Sequence, residues 1–125
     1  MILGLGTDLV EIGRVEDLLQ RHGDRFLARV FTAAEREVCL GRPRAAVHLA
    51  GRVAAKEAAM KALGTGWGGG VRWLDLEVRS SGGTPPTLAF AGAARRHAEA
   101  RGIRQSWVSL SHDGEYAIAV VIVTD

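Results

Sequence analysis

The hydrophobic positions of this chain change period along its length, and each change marks an element. Over residues 2–9, Leu3, Leu5, Thr7 and Leu9 alternate with Gly4, Gly6 and Asp8. That predicts a strand with the leucines on one face and the glycines and Asp8 on the other. Residues 12–22 take a helical period, and Gly23 ends or bends the helix. Thr32-Ala33-Ala34-Glu35 is a capping-box sequence opening a helix to about residue 40, and Gly41-Arg42-Pro43 breaks it. An alanine-rich helix over residues 44–63 follows, stopped by Gly64. From Val71 the period is two: Leu74, Leu76 and Val78 alternate with Asp75, Glu77 and Arg79. Residues 80–85 form a turn, residues 87–90 a returning strand and residues 91–101 a helix that Gly102 stops. Strands over 107–111 and 116–123 are joined through His112-Asp113-Gly114-Glu115, with His112 opening the turn. This order predicts an α+β fold, a largely antiparallel sheet packed against the long alanine-rich helix, in one domain spanning residues 1–125. An edge of so small a sheet invites cover from another subunit.

The alanine-rich helix carries the chemistry. Leu49, Val53, Met60 and Leu63 form one stripe, and Ala55, Ala58, Ala59 and Ala62 cover much of the other side. A helix apolar nearly all round is buried by its neighbours, so its charges need partners or a ligand. Glu57 and Lys61, four apart, project to the same side. The plain reading is a surface ion pair worth about 0.3–0.5 kcal/mol. The other makes Glu57 a metal ligand and sets Lys61 against phosphate. Asp8 ends the first strand after two glycines that admit close approach. It is either a helix cap or, with Glu57, half of an oxygen-only pair suited to magnesium.

Composition narrows the field. At 125 residues with 47% hydrophobic content, the chain fits one modest core, and no run approaches a membrane span. No signal peptide opens it and a lone Cys39 makes no internal disulfide, so a cytoplasmic location is expected. The net charge is only +2, but arginine greatly outnumbers lysine and concentrates in the first half. Arginine forks suit phosphate or carboxylate partners, while no aromatic platform or zinc motif argues for nucleic acid. Ser109-Leu110-Ser111-His112-Asp113 is no hydrolase triad, because such members converge from separate segments. The glycine-dense loop after Lys61 lacks the order of a P-loop, though its N–H groups could still meet phosphate.

Four segments together resemble one family: Gly4-Leu5-Gly6-Thr7-Asp8-Leu9-Val10-Glu11, Phe31 to Glu35, Gly51 to Gly66 around Lys56-Glu57-Ala58, and Val108-Ser109-Leu110-Ser111-His112. The family is that of the holo-acyl-carrier-protein synthases, the small trimeric branch of the 4′-phosphopantetheinyl transferases. One departure is Val53, where the family often has Phe. The resemblance implies transfer of 4′-phosphopantetheine from coenzyme A to a serine of apo-acyl-carrier protein, releasing adenosine 3′,5′-bisphosphate, in fatty acid biosynthesis. It implies that Asp8 and Glu57 hold Mg2+ on the coenzyme A pyrophosphate and that Lys61 contacts phosphate. By the same likeness Arg44, Arg52, Gly64, Thr65, Gly66, Pro85, Ser111 and His112 line the nucleotide site. Arg14, Leu18, Arg21 and Arg25 would face the acidic carrier protein if the first helix ran straight through Gly23. The family's active sites lie between subunits of a homotrimer. Two rival readings remain: a magnesium-dependent nucleotide phosphohydrolase using the same Asp8 and Glu57, and a non-catalytic module whose arginine face grips an acidic protein or RNA.

Overall fold

A computed structural model describes residues 1–80 and 83–125; Ser81 and Gly82, in the expected turn at 80–85, lie outside the described residues. The elements are β1 (Ile2–Glu11), α1 (Ile12–His22), α2 (Asp24–Val30), α3 (Ala33–Leu40), α4 (Ala45–Leu63), a 3₁₀ turn (Trp73–Asp75), β2 (Leu76–Arg79), β3 (Thr87–Phe90), α5 (Gly92–Ala100), β4 (Gln105–Asp113) and β5 (Tyr116–Thr124). The sheets are antiparallel, a three-stranded one in the order β1-β5-β4 and a ribbon of β2 and β3. The fold is α+β, as the periodicity implies.

α4 runs through the middle, and its residues from Val47 to Leu63 are buried almost without a break. β1 lies on it through its glycine face. A Cβ on Gly4 would overlap the carbonyl oxygen of Ala62, and one on Gly6 that of Ala58. Only glycine permits that approach. The leucine face of β1 therefore points outward, with Leu5 and Leu9 exposed. Across the register Leu9 sits beside Ile118, Thr7 beside Val120 and Leu5 beside Ile122, with Trp107 beyond Ile122 on β4. The outer side of this sheet is thus an apolar face.

Of the two outcomes open at Gly23 one is realised, and two other local expectations are corrected. Gly23, with φ 48°, ends α1 and starts α2, so no straight helix runs through it and Arg25 belongs to a separate element. Leu74 and Asp75 are not in the strand: the 3₁₀ turn leaves Leu74 exposed and buries Asp75, which accepts from Arg72 N at 3.1 Å. β4 extends to Asp113, so His112 is a strand residue paired with Ala117, and the two-residue turn is Gly114-Glu115. Gly114 supplies the positive φ of 57° that the first turn position of a type II′ hairpin demands.

A buried ion pair fixes how α4 is rotated. Lys56 and Glu35 are both inaccessible to solvent, and Lys56 Nζ donates to Glu35 Oε1 at 2.7 Å. Its other two donations go to Val30 O at 2.7 Å and Trp73 O at 3.2 Å. Glu35 also closes the capping box on Thr32 N at 2.9 Å and accepts from Val78 N at 2.8 Å. Burial pulls the Lys56 pKa down while the Glu35 charge and hydrogen bond hold it up, and three acceptors keep the ammonium charged. α2, α3, the 3₁₀ turn and β2 are thereby tied to one point on α4. Lys56→Ala leaves Glu35 as an unpaired buried carboxylate, so urea unfolding should register a loss of about 3–5 kcal/mol.

Candidate active site

Asp8, Glu57 and Lys61 converge where β1 leaves the glycine contact. Lys61 Nζ donates to Thr7 O at 2.9 Å and to Asp8 Oδ1 at 3.1 Å. It thus bonds across to β1, not down its own helix to Glu57, and the plain surface pair is not what the chain makes. Asp8 Oδ2 is buried with no hydrogen-bond donor. Glu57 comes within hydrogen-bonding reach of Asp8, and its pKa is pushed up to about 7. Burial is the largest cause; the hydrogen bond and charge of Asp8 add to it, and Lys61 and Arg14 oppose it. Two crowded carboxylates, with one oxygen orphaned, are only partly answered by the Lys61 ammonium. That donor set fits a hard divalent cation, two protein oxygens leaving its other positions to water and substrate phosphate.

Beside Glu57 is a cavity of ≈ 140 Å³ lined by Leu9, Leu18, Phe26, Val53 and Trp73, with Arg14 also in its wall. Val53 is part of its wall, so the smaller side chain widens this space compared with Phe. Leu18 also borders a second depression with His22, Arg25 and Arg29. Arg21 pairs with Asp17 at 3.2 Å on the exposed side of α1 and lines neither.

The other expected site residues do not gather around Glu57 within one chain. Gly64, with φ 79°, caps the C-terminus of α4, and Thr65 Oγ1 donates to Gly66 O at 3.0 Å just beyond. Arg44 caps the opposite end, roughly 30 Å away at 1.5 Å per residue. It is the one non-glycine residue with positive φ, 55°, among the described residues. Arg52 is buried mid-helix, donating to His48 O at 3.3 Å and Ser80 Oγ at 3.1 Å, with Nε unpaired. It lines a small cavity of ≈ 80 Å³ with His48, Ser111 and His112. Pro85 is exposed in the β2–β3 connection.

His48 is not among the expected site residues, though its i,i+4 spacing to Arg52 places both on one face of α4. Burial and the charges of Arg42, Arg52 and His112 lower its pKa, so it is neutral at pH 7 in a cationic neighbourhood. Cys39 is wholly buried, which raises its thiol pKa and leaves it a core residue. No helix among the described residues is long and apolar enough to cross a membrane.

Residues 4–121 match the model of the 4′-phosphopantetheinyl transferase superfamily. Along its full length the chain is 49% identical to all of the holo-acyl-carrier-protein synthase of Koribacter versatilis. The crystal structure of the Neisseria meningitidis synthase superposes with a TM-score of 0.90 at 30% identity, covering 100% of both chains. The Helicobacter pylori synthase in complex with coenzyme A gives 0.84 at 32% identity, over 96% of this chain and 99% of that one. The chain therefore belongs to the 4′-phosphopantetheinyl transferase superfamily, in its holo-acyl-carrier-protein synthase branch.

Glu57 carries a pH signature. Its folded pKa lies above the ordinary 4.5, so its contribution to stability is full below that value and falls as pH rises toward 7. In chelator at pH 8, Glu57→Gln should melt several degrees above wild type. The difference should shrink below pH 5, where wild-type Glu57 is protonated; thermal denaturation at the two pH values checks it.

Proposed function

We propose that this chain transfers 4′-phosphopantetheine from coenzyme A to a serine hydroxyl of an apo-acyl-carrier protein, releasing adenosine 3′,5′-bisphosphate. The observation that carries this reading is the meeting of Asp8, Glu57 and Lys61 beside an open cavity, on a chain whose Helicobacter relative was solved with coenzyme A. The serine oxygen bonds to the β-phosphorus, the bridging P–O bond breaks, and the hydroxyl proton ends on the departing bisphosphate or solvent.

Asp8 and Glu57 would hold Mg2+, which when bound would supply positive charge to offset that of the pyrophosphate. Lys61, anchored by Thr7 O and Asp8 but with its side chain 56% exposed, offers its remaining donor to phosphate. Proton removal from the serine falls to Glu57 or to a water held at the same site. Arg14, Leu18 and Arg25 still border adjoining depressions across the break at Gly23, and together with the exposed Arg21 they meet the acidic carrier, where complementary charge speeds encounter.

Arg44, Arg52, Ser111 and His112 complete the nucleotide site with Lys61, Gly64, Thr65, Gly66 and Pro85 of a neighbouring copy in a homotrimer. Two features support this: Arg52, Ser111 and His112 share a cavity apart from Lys61 and Gly64 at the C-terminal end of α4, and Leu5, Leu9, Trp107, Ile118 and Val120 expose an apolar sheet face. A contiguous apolar face of that kind is a protein interface. The phosphohydrolase alternative predicts nucleotide turnover without an acceptor; the binding module predicts none.

Intact-mass analysis of apo-carrier protein incubated with coenzyme A and Mg2+ should reveal addition of one phosphopantetheine. Asp8→Ala and Glu57→Ala should each lower the rate at least about 100-fold with the fold retained, as loss of a metal ligand does. No mass gain with folded wild type would sink the assignment. Val120→Asp should yield monomers by sedimentation and lose transfer together with assembly.

A further inference from the structure

One surface feature has no part in the reaction as described. Trp67 and Trp73 lie with ring centroids 4.1 Å apart, tilted at 55°. Trp67 remains 48% exposed and the adjacent Leu74 39%. With Arg29 and Arg72 they border a depression of ≈ 510 Å³. Arg72 is held from beneath by buried Asp75, at 3.3 Å, while its side chain stays 74% exposed, so the guanidinium is displayed outward.

This depression is continuous with the machinery already placed. Trp73 belongs both to it and to the cavity beside Glu57, and Arg29 belongs both to it and to the basic depression of His22 and Arg25. No acidic residue lines either outer depression among the described residues. An occupant must therefore be anionic and bring apolar groups for Trp67 and Leu74. Trp and Arg are the residues that dominate interface energies. An isologous second copy would set arginine against arginine. Four positions on α1 and α2 are also too few for a standard protein interface, which engages about 20–30 residues a side.

We propose that Trp67, Leu74, Arg29 and Arg72 form a second anchoring surface for the acidic acceptor protein, extending the docking face from α1 and α2 across the glycine-rich loop. The proposal rests on the transferase reading above. The acceptor then straddles the Glu57 cavity, gripped on both sides, and its serine is held over the two carboxylates.

Steady-state transfer assays on the assembled enzyme test it. Trp67→Ala and Arg29→Glu should each raise KM for apo-carrier protein about ten-fold, with kcat within about two-fold and KM for coenzyme A unchanged. Arg29 has no ion-pair partner among the described residues, so its reversal keeps the proposal testable if Trp67→Ala fails to fold. In wild type, a carrier whose acceptor serine is replaced by alanine should quench tryptophan fluorescence, and Trp67→Phe should abolish most of that change. Unchanged carrier KM in the folded variants overturns the proposal alone. So does a rise in the coenzyme A KM instead, which would mean that Trp67 stacks on the nucleotide. A wild type that modifies no carrier at all overturns the transferase reading, and this one with it.

Discussion

The spacing between β1 and α4 is set by two missing side chains. Strands and helices normally stand apart by the depth of their side chains, but Gly4 and Gly6 place the β1 backbone against Ala58 and Ala62. Two residues further along β1, that proximity lets a short aspartate reach the middle of α4. With any larger residue at Gly6 the strand would lift, and Asp8 would no longer meet Glu57. The alanines of α4 are the other half of the constraint, because their small size makes the carbonyls accessible. The closeness is a packing fact, and the chemistry is built upon it.

Charge is distributed along α4 by burial. Lys56 is dry and has every donor satisfied, which makes it a structural bolt. Arg52 is buried with one nitrogen unpaired, and Glu57 is half-buried against another carboxylate. Satisfaction thus declines as the helix turns toward the two small cavities. A folded chain keeps such unsatisfied groups only where the rest of the structure over-determines them, and the Lys56–Glu35 network supplies that surplus. The site is a region of stored electrostatic cost next to a region of electrostatic surplus.

Much of this was legible in the amino-acid sequence, because local periodicity and capping agree with the final fold. The Thr32 capping box forms with both reciprocal bonds, α4 spans nearly the expected residues, and the hairpin of β4 and β5 lies where the turn residues put it. Misreadings occurred where tertiary contacts outrank pattern. The alternation at Leu74 and Asp75 has the period of a strand, yet Asp75 is drawn inward to bond Arg72 N and fold a 3₁₀ turn. Gly23 offered two outcomes, and only packing decides that α2 turns away. Glu35 reads as a cap because its partners lie 21 and 43 residues away, a separation no local pattern encodes. The meeting of Asp8 with Glu57 was foreseeable from the glycines; the crossing of Lys61 to Thr7 was not.

Lys56 and Glu57 are consecutive, yet one belongs to the dry network and the other to the wet cavity. Their division of labour depends wholly on the phase of α4. Removing or adding a single residue upstream within that helix would swing both by about 100°. The ammonium would then be carried off the Glu35 oxygens and the carboxylate off Asp8. Length variation should therefore accumulate in connections such as β2–β3, while α4 itself behaves as a fixed-length cam.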